Sequence, residues 1–437
     1  MKISVTSSEM VGPNAETPSG CMWLTNLDLV MPTNYHTRTV YFYRYDVCAA
    51  ANFFLPKVLK AALSRALVEF YPMAGRLATE NGRITINCNG EGVLFVEAEC
   101  DGEIDDMGDF APRPELHLTP AVDYSLGIST FPLSMMQVTR FKCGGVCLGI
   151  AHQHHAADGL SALHFINTWS DLSRGLDKIA VPPCLDRTVL RARVPPHPMF
   201  PHIEYHRPTP TTTTASASPQ PEIKYSFFKL TADHLKTLKS KVNDDSSSTT
   251  NYSTYEVLAG HVWRCVTTAR NLPENQQTKL YVSTDGRSRL RPPPPPGYFG
   301  NVIFSAAAVA TGGEIGSNGV GFAAGKIRGA IARMDEEYLR SAIDYLEMKS
   351  DVIGSIALNE NTYKCPNLGI ISWIRLPIYG ADFGWGEPVY MGPARPSSEG
   401  KCHLLPNNTA GDDGSLLVAI SLLKEHMLLF EKLLYQI

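Results

Sequence analysis

Several features that would settle a function quickly are missing from these 437 residues. There is no GxSxG elbow, no GxxxxGK[ST] phosphate cradle and no Rossmann glycine fingerprint, which disfavours a serine hydrolase and a nucleotide-driven enzyme. Ten cysteines occur, but without a CxxC pair or a zinc-ligand array, a pattern expected of free thiols in the cytoplasm. The opening residues Met1-Lys2-Ile3-Ser4-Val5-Thr6 hold no apolar signal core, and no 18-residue apolar run follows, so neither export nor a membrane span is expected. Arginines and lysines are scattered and the formal charge is only −4. With no basic stripe, nucleic acid is not an expected partner.

What is present describes a packed α/β protein. Hydrophobic residues make up 44% and charged residues 19%, and the length exceeds the roughly 250–300 residues at which one core stops growing. Two domains are therefore expected. Val58, Leu59, Ala62, Leu63, Ala66, Leu67 and Phe70 fall on one helical stripe that Tyr71-Pro72 ends. Residues 135–141 and 146–151 flank Lys142-Cys143-Gly144-Gly145 and read as a hairpin. Residues 160–172 read as an apolar helix. Prolines and a threonine run crowd residues 181–221, which read as an extended, exposed linker. Strands and helices alternate again beyond it: a strand over 223–230, helices over 232–242, 255–269 and 335–348, and a final strand and helix at 416–422 and 424–435. The expected division is 1–185, a crossover at 186–222, and 223–437, each domain with a mixed sheet and flanking helices.

The chemistry concentrates in His154-His155-Ala156-Ala157-Asp158-Gly159, where an apolar strand gives way to a turn. A histidine titrating near neutrality can take a proton from a hydroxyl and return it to a leaving group, so His154 is the candidate base. Asp158, four residues on, is expected to be structural, and Gly159 to supply backbone angles other residues resist. His152, His154 and His155 also raise a metal site, but no cysteine or paired acid accompanies them, and none is expected. Asp382-Phe383-Gly384-Trp385-Gly386 contains no nucleophile. Its two glycines around a tryptophan indicate a tight turn with an anchored ring, in which Asp382 could pair with an arginine such as Arg287.

With HxxxD and DFGWG both present, in that order, the chain resembles the plant BAHD acyltransferases. "LKAALSRALVEFYPMAGRL", "YEVLAGHVWR", "DGRSRLRPPPPPGYFGN" and "KCPNLGIISWIRLPIYGADFGWG" extend the likeness to the hydroxycinnamoyl-CoA transferase branch over more than nine-tenths of the chain. The resemblance implies two chloramphenicol-acetyltransferase-like domains with a solvent channel between them and His154 in mid-channel. Acyl-CoA would be co-substrate, with no bound cofactor, no metal and no acyl-enzyme, in a monomer. It further implies that Ser253, Thr254, Tyr255 and Arg289 lie toward CoA. Trp373 would donate its indole N–H to the tetrahedral oxyanion, a role that suits a buried indole. Thr37, Thr39 and Tyr41, alternating on one strand, would line the acceptor side.

The acceptor itself is read from a departure. Family members that acylate shikimate carry an arginine where this chain has Leu358 and a threonine where it has Ile371. Loss of a charge-assisted bond costs about 2–3 kcal/mol. An aromatic hydroxy acid of the hydroxyphenyllactate type is therefore the expected acceptor, with shikimate or quinate as the alternative. "HHAADG" itself matches the shikimate enzymes. A non-catalytic binding protein would not need these motifs, and a peptide-forming condensation domain would carry histidine where Gln153 stands.

Overall fold

The computed structural model describes residues 1–45, 52–206, 222–244, 251–356, 361–395, 398–407 and 413–437. In chain order its strands are β1 (Ile3–Val11), β2 (Cys21–Trp23), β3 (His36–Tyr43), β4 (Arg76–Glu80), β5 (Arg83–Asn87), β6 (Val93–Cys100), β7 (Ser134–Phe141), β8 (Val146–Gln153), β9 (Ile223–Leu230), β10 (Gln277–Asp285), β11 (Ile303–Thr311), β12 (Leu368–Ser372), β13 (Tyr390–Pro393), β14 (Lys401–Pro406) and β15 (Leu416–Leu423). The helices are α1 (Asn26–Leu29), α2 (Pro56–Glu69), α3 (Gly159–Ser173), α4 (Ala232–Asp244), α5 (Thr254–Ala269), α6 (Gly312–Ser317), α7 (Val320–Ala332), α8 (Glu336–Met348), α9 (Ile353–Ile356) and α10 (Lys424–Leu434). Among the described residues no helix is long and apolar enough to cross a membrane.

Two compact units share this chain. The first comprises Met1–Arg193, Pro292–Val302 and Leu376–Arg395; the second comprises Val194–Arg291, Ile303–Arg375 and Pro396–Ile437. A single cut in sequence does not describe them, because two later segments return to the first unit. Its larger sheet runs β1-β6-β7-β8-β3-β13, beside a small one of order β2-β5-β4, so an edge strand from residue 390 onward pairs with β3, Tyr390 opposite Phe42. The sheet of the second unit runs β11-β10-β12-β14-β15-β9, with β12 parallel to both its neighbours. Both sheets are mixed and helices accompany each, as the sequence led us to expect.

The expected elements form for the expected reasons. Pro56 opens α2, whose stripe Leu59, Ala62, Leu63, Ala66 and Leu67 is buried, and the Trp169 indole on α3 donates to the Leu59 carbonyl at 2.9 Å. The β7–β8 hairpin is buried along nearly its whole length, which explains the apolar run of β8 from Val146 to Ala151. Gly149 sits where a Cβ would lie 1.7 Å from the Leu118 carbonyl oxygen, so only glycine admits that backbone.

The crossover departs from expectation in part. Residues 207–221 lie outside the described residues; 186–206 is largely exposed, as expected, but is anchored at a few buried points. Arg187, Leu190, His202, Glu204 and Tyr205 are buried. In the second unit His202 Nδ1 meets Glu204 Oε1 at 2.9 Å and His202 Nε2 meets the Ser341 hydroxyl at 2.8 Å. Proline content marks a segment without helix or sheet bonds; it does not report where the intervening polar side chains find partners.

Candidate active site

In the first unit the histidine-bearing turn is set by the residue that follows it. Asp158 is the N-cap of α3: one carboxylate oxygen accepts from Ser161 N at 3.0 Å and the other from Val302 N at 3.0 Å. It is fully buried, so its charge is spent on closing the helix start and fixing the 298–302 loop. The Ser161 hydroxyl pins the same loop, donating to the Gly300 carbonyl at 2.9 Å. Gly159 corrects the sequence reading. It is absent from the positive-φ residues and opens α3 in ordinary helical geometry, so no special backbone freedom is in use there.

His154 is half-buried, while its neighbours His152 and His155 are buried. Its Nδ1 lies 3.0 Å from Asn301 Oδ1. The orientation of that amide follows from its other bonds. Asn301 Nδ2 is 2.8 Å from Asp28 Oδ1 and 2.8 Å from the His154 carbonyl, and both of those can only accept. Oδ1 must therefore face the imidazole, Nδ1 must carry the proton, and the lone pair is left on Nε2. The Asp28 carboxylate that fixes Asn301 is itself buried and satisfied. It accepts from Asn301 N at 2.9 Å, from Thr25 N and Oγ1 at 2.8 Å each, and faces Arg187 at 3.0 Å. Arg187 also donates to the His155 and Ala156 carbonyls. The carboxylate coupled to His154 is thus Asp28, through Asn301. Sequence reasoning missed Asp28, Asn301 and Arg187. Each stands far from HxxxD in sequence.

The other two histidines are held neutral. Burial pushes His152 down to about 3 and His155 down to about 4. His155 Nδ1 is 3.2 Å from Gln153 Oε1, whereas neither nitrogen of His152 has a hydrogen-bond partner. Its ring centroid lies 6.5 Å from that of His154. On β3, Thr37, Thr39 and Tyr41 alternate onto one face, and their three hydroxyls are buried without hydrogen bonds. Burial raises the Tyr41 phenol, and the nearby Thr39 hydroxyl tempers that shift.

The DFGWG segment is a turn of the first unit. Asp382 Oδ1 accepts from Gly384 N at 2.8 Å and from Gly386 N at 2.9 Å, and both glycines have positive φ. Phe383 stands edge-on to Trp169 at 4.8 Å, and Trp385 packs on Phe54 at 5.0 Å. The cation beside Asp382 is Arg174, at 3.8 Å. Within the second unit Arg287 bonds Asp285 at 3.1 Å.

In the second unit, Trp373 is half-buried, its ring 5.3 Å from that of His403, and its indole N–H meets no acceptor among the described residues. Ile371 is half-buried on β12, opposite His403 on β14. Ser253 caps α5 in a reciprocal capping box with Glu256, which Arg328 holds at 2.8 Å. Thr254 is exposed at the start of that helix, and the buried Tyr255 hydroxyl has no partner. Arg289 donates to the Ile331 and Met334 carbonyls at the end of α7. Leu358 lies outside the described residues.

His154 is thus a half-buried imidazole whose Nδ1 is held by a fixed amide. The Transferase family model matches residues 1–437, and the chain belongs to that family, the BAHD acyltransferases. It is 58% identical to shikimate O-hydroxycinnamoyltransferase of Nicotiana tabacum and 54% identical to rosmarinate synthase of Plectranthus scutellarioides, each over the whole of both chains. Its fold is that of vinorine synthase (TM-score 0.73, 21% identity, 98% of this chain and 96% of that one). It is also that of F. graminearum TRI101 in complex with coenzyme A and T-2 mycotoxin (TM-score 0.77, 18% identity, 94% and 96%). The chain is an acyl-CoA-dependent acyltransferase.

Proposed function

We propose that this enzyme moves a hydroxycinnamoyl group from CoA to a hydroxyl of an alicyclic hydroxy acid of the shikimate or quinate type. His154 Nε2 takes the hydroxyl proton as the oxygen attacks the thioester carbonyl. The tetrahedral oxyanion collapses, expelling the CoA thiolate, and His154 returns the proton to sulfur. No acyl-enzyme is required. Trp373, with its unspent indole N–H, is the candidate oxyanion donor. Thr254 and Tyr255 are retained as candidate CoA contacts, whereas Ser253 and Arg289 already have work in capping α5 and α7. A pattern of thiols without disulfides among the described residues suits the cytosol.

The observation that carries the acceptor reading is the face of β3 near the base. Three buried hydroxyls there, of Thr37, Thr39 and Tyr41, lack partners, and each such group costs about 1–3 kcal/mol until something bonds it. A ring bearing several hydroxyls supplies those bonds; an aryl ring does not. This reverses the acceptor expected from the sequence, and the tobacco shikimate enzyme is also the more similar of the two relatives. The aliphatic Ile371 still favours hydroxyphenyllactate as a second reading.

The test follows CoA release from caffeoyl-CoA with shikimate, quinate and 4-hydroxyphenyllactate in turn. Turnover confined to hydroxyphenyllactate would overturn the acceptor assignment. His154→Ala should lower kcat by about 10²–10⁴ with the fold intact; undiminished turnover would remove His154 from the mechanism.

A further inference from the structure

We infer that His152 is a specificity-determining residue that reads a second hydroxyl on the acceptor ring, besides the one that is acylated. The inference rests on the polyhydroxylated acceptor proposed above and goes further, to the residue that distinguishes such acceptors from alcohols with one hydroxyl. His152 occupies the centre of a row across three strands. On β8 it stands opposite Thr37 of β3 on one side and Ser134 of β7 on the other. Paired residues of antiparallel strands project to the same face, so the three side chains form one strip. Thr37 Oγ1, Ser134 Oγ and both nitrogens of His152 are buried, and none has a hydrogen-bond partner. The next residue on that face is His154, whose ring centroid is 6.5 Å away.

The chemistry of the strip selects its ligand. Buried polar groups in native proteins are almost always bonded, and here several neighbouring ones are not, all beside the base. Burial and the nearby His154 and His36 keep the His152 ring neutral, so it offers one N–H and one lone pair. A carboxylate can only accept, and would leave that lone pair opposed. A hydroxyl both donates and accepts, and so do the Thr37 and Ser134 hydroxyls on either side. The strip is therefore matched to an alcohol group. With one acceptor hydroxyl on His154 Nε2, a second on the same ring falls to His152.

The experiment compares wild type, His152→Met and His152→Gln with caffeoyl-CoA and two acceptors: shikimate, and a cyclohexane carboxylic acid with a single hydroxyl. Methionine keeps bulk and removes both polar atoms, whereas glutamine restores a donor and an acceptor. We expect the Met variant to raise KM for shikimate about 10-fold, the scale of one neutral hydrogen bond. KM for caffeoyl-CoA and all constants for the mono-alcohol should stay within about two-fold, and Gln should recover most of the loss. Equal losses with both acceptors, or a moved caffeoyl-CoA KM, would make His152 a packing residue and overturn the inference. Unchanged constants would overturn it too, since solvent would then satisfy the ring. Should the Met variant not fold, the ¹⁵N resonances of His152 in wild type decide the question: they must move when shikimate is added, and shikimate binding without such movement sinks the proposal. A wild-type enzyme that turns over hydroxyphenyllactate but no hydroxylated ring acid fails at the earlier step, and this inference falls with it.

Discussion

The proposed base, His154, is oriented by residues behind it. Asp28 fixes the Asn301 amide, and Asn301 fixes which nitrogen of His154 carries the proton. The link is a neutral amide, so no charge passes along it; its contribution is to tautomer and ring orientation. Asn301→Ala should therefore cost only about 3- to 10-fold in kcat, leave the KM for acyl-CoA unchanged and flatten the pH–rate profile little. A loss near 10³-fold would show that the amide does more than select a tautomer. Asp28→Ala is a different kind of change, because it strands the buried Arg187 guanidinium, and breaking such a pair costs about 3–5 kcal/mol. Buried histidines add a pH dependence. His36, His152, His155 and His403 are pushed down to about 4, 3, 4 and 3, in each case chiefly by burial. Above about pH 6.5 both folded and unfolded chains hold them neutral, and nothing is lost. Below it the unfolded chain takes up protons that the folded one refuses, so stability falls by about 1.4 kcal/mol per pH unit per histidine down to the folded pKa. Melting temperatures should be flat above pH 7 and drop steeply from 6.5 toward 5, less steeply in His152→Met. The candidate base has a spacing to mark it in the sequence, HxxxD; Asp28 and Asn301 have none, being joined only by the fold.

Elements near the site owe their precision to loops closed by side-chain acceptors. The 382–386 turn is held by one carboxylate oxygen taking two amide protons, by two glycines with φ near +95° (+99° and +93°), and by aromatic rings sunk among Tyr43, Phe54 and Trp169. Its glycines and tryptophan announced such a turn in the sequence. Arg174, the cation beside Asp382 in the same unit, has no such local signature. Gly384→Ala meets both obstacles at once: a left-handed backbone, and an added Cβ 3.2 Å from that of Arg174. It should cost about 1–3 kcal/mol and lower the melting temperature by several degrees. Activity per folded molecule should remain near wild type, because no atom of the turn takes part in proton transfer. A folded, fully stable variant with lost turnover would instead place the turn in catalysis. Long amphipathic helices were readable from period, and the β7–β8 hairpin from its Gly-Gly turn between two strand-like runs. Strands β10 to β14 were not, for their residues alternate weakly and the partners that make them strands are remote.

At the scale of the whole chain the decisive fact is that neither unit is a continuous segment. The first takes Pro292–Val302 and Leu376–Arg395 from beyond the crossover, and those pieces complete its interior. Val302 N bonds Asp158, Asn301 bonds Asp28 and His154, β13 covers the open edge of β3, and Phe383 fills the space against Trp169. A fragment of residues 1–193 would contain both motif residues of HxxxD and every histidine of the turn, and by composition it reads as a domain. Physically it would leave two buried carboxylates short of donors, at about 1–3 kcal/mol for each missing bond, expose a long apolar edge strand, and lose an aromatic plug worth about 3–5 kcal/mol. Together these approach the 5–15 kcal/mol by which a domain is stable at all. Residues 1–193 expressed alone should therefore be aggregation-prone and show no cooperative melt, whereas the 437-residue chain should melt cooperatively. A soluble fragment with a sharp thermal transition would mean that the returning segments decorate the first unit without completing it, and that the positioning of His154 by Asn301 is an addition to a site already formed.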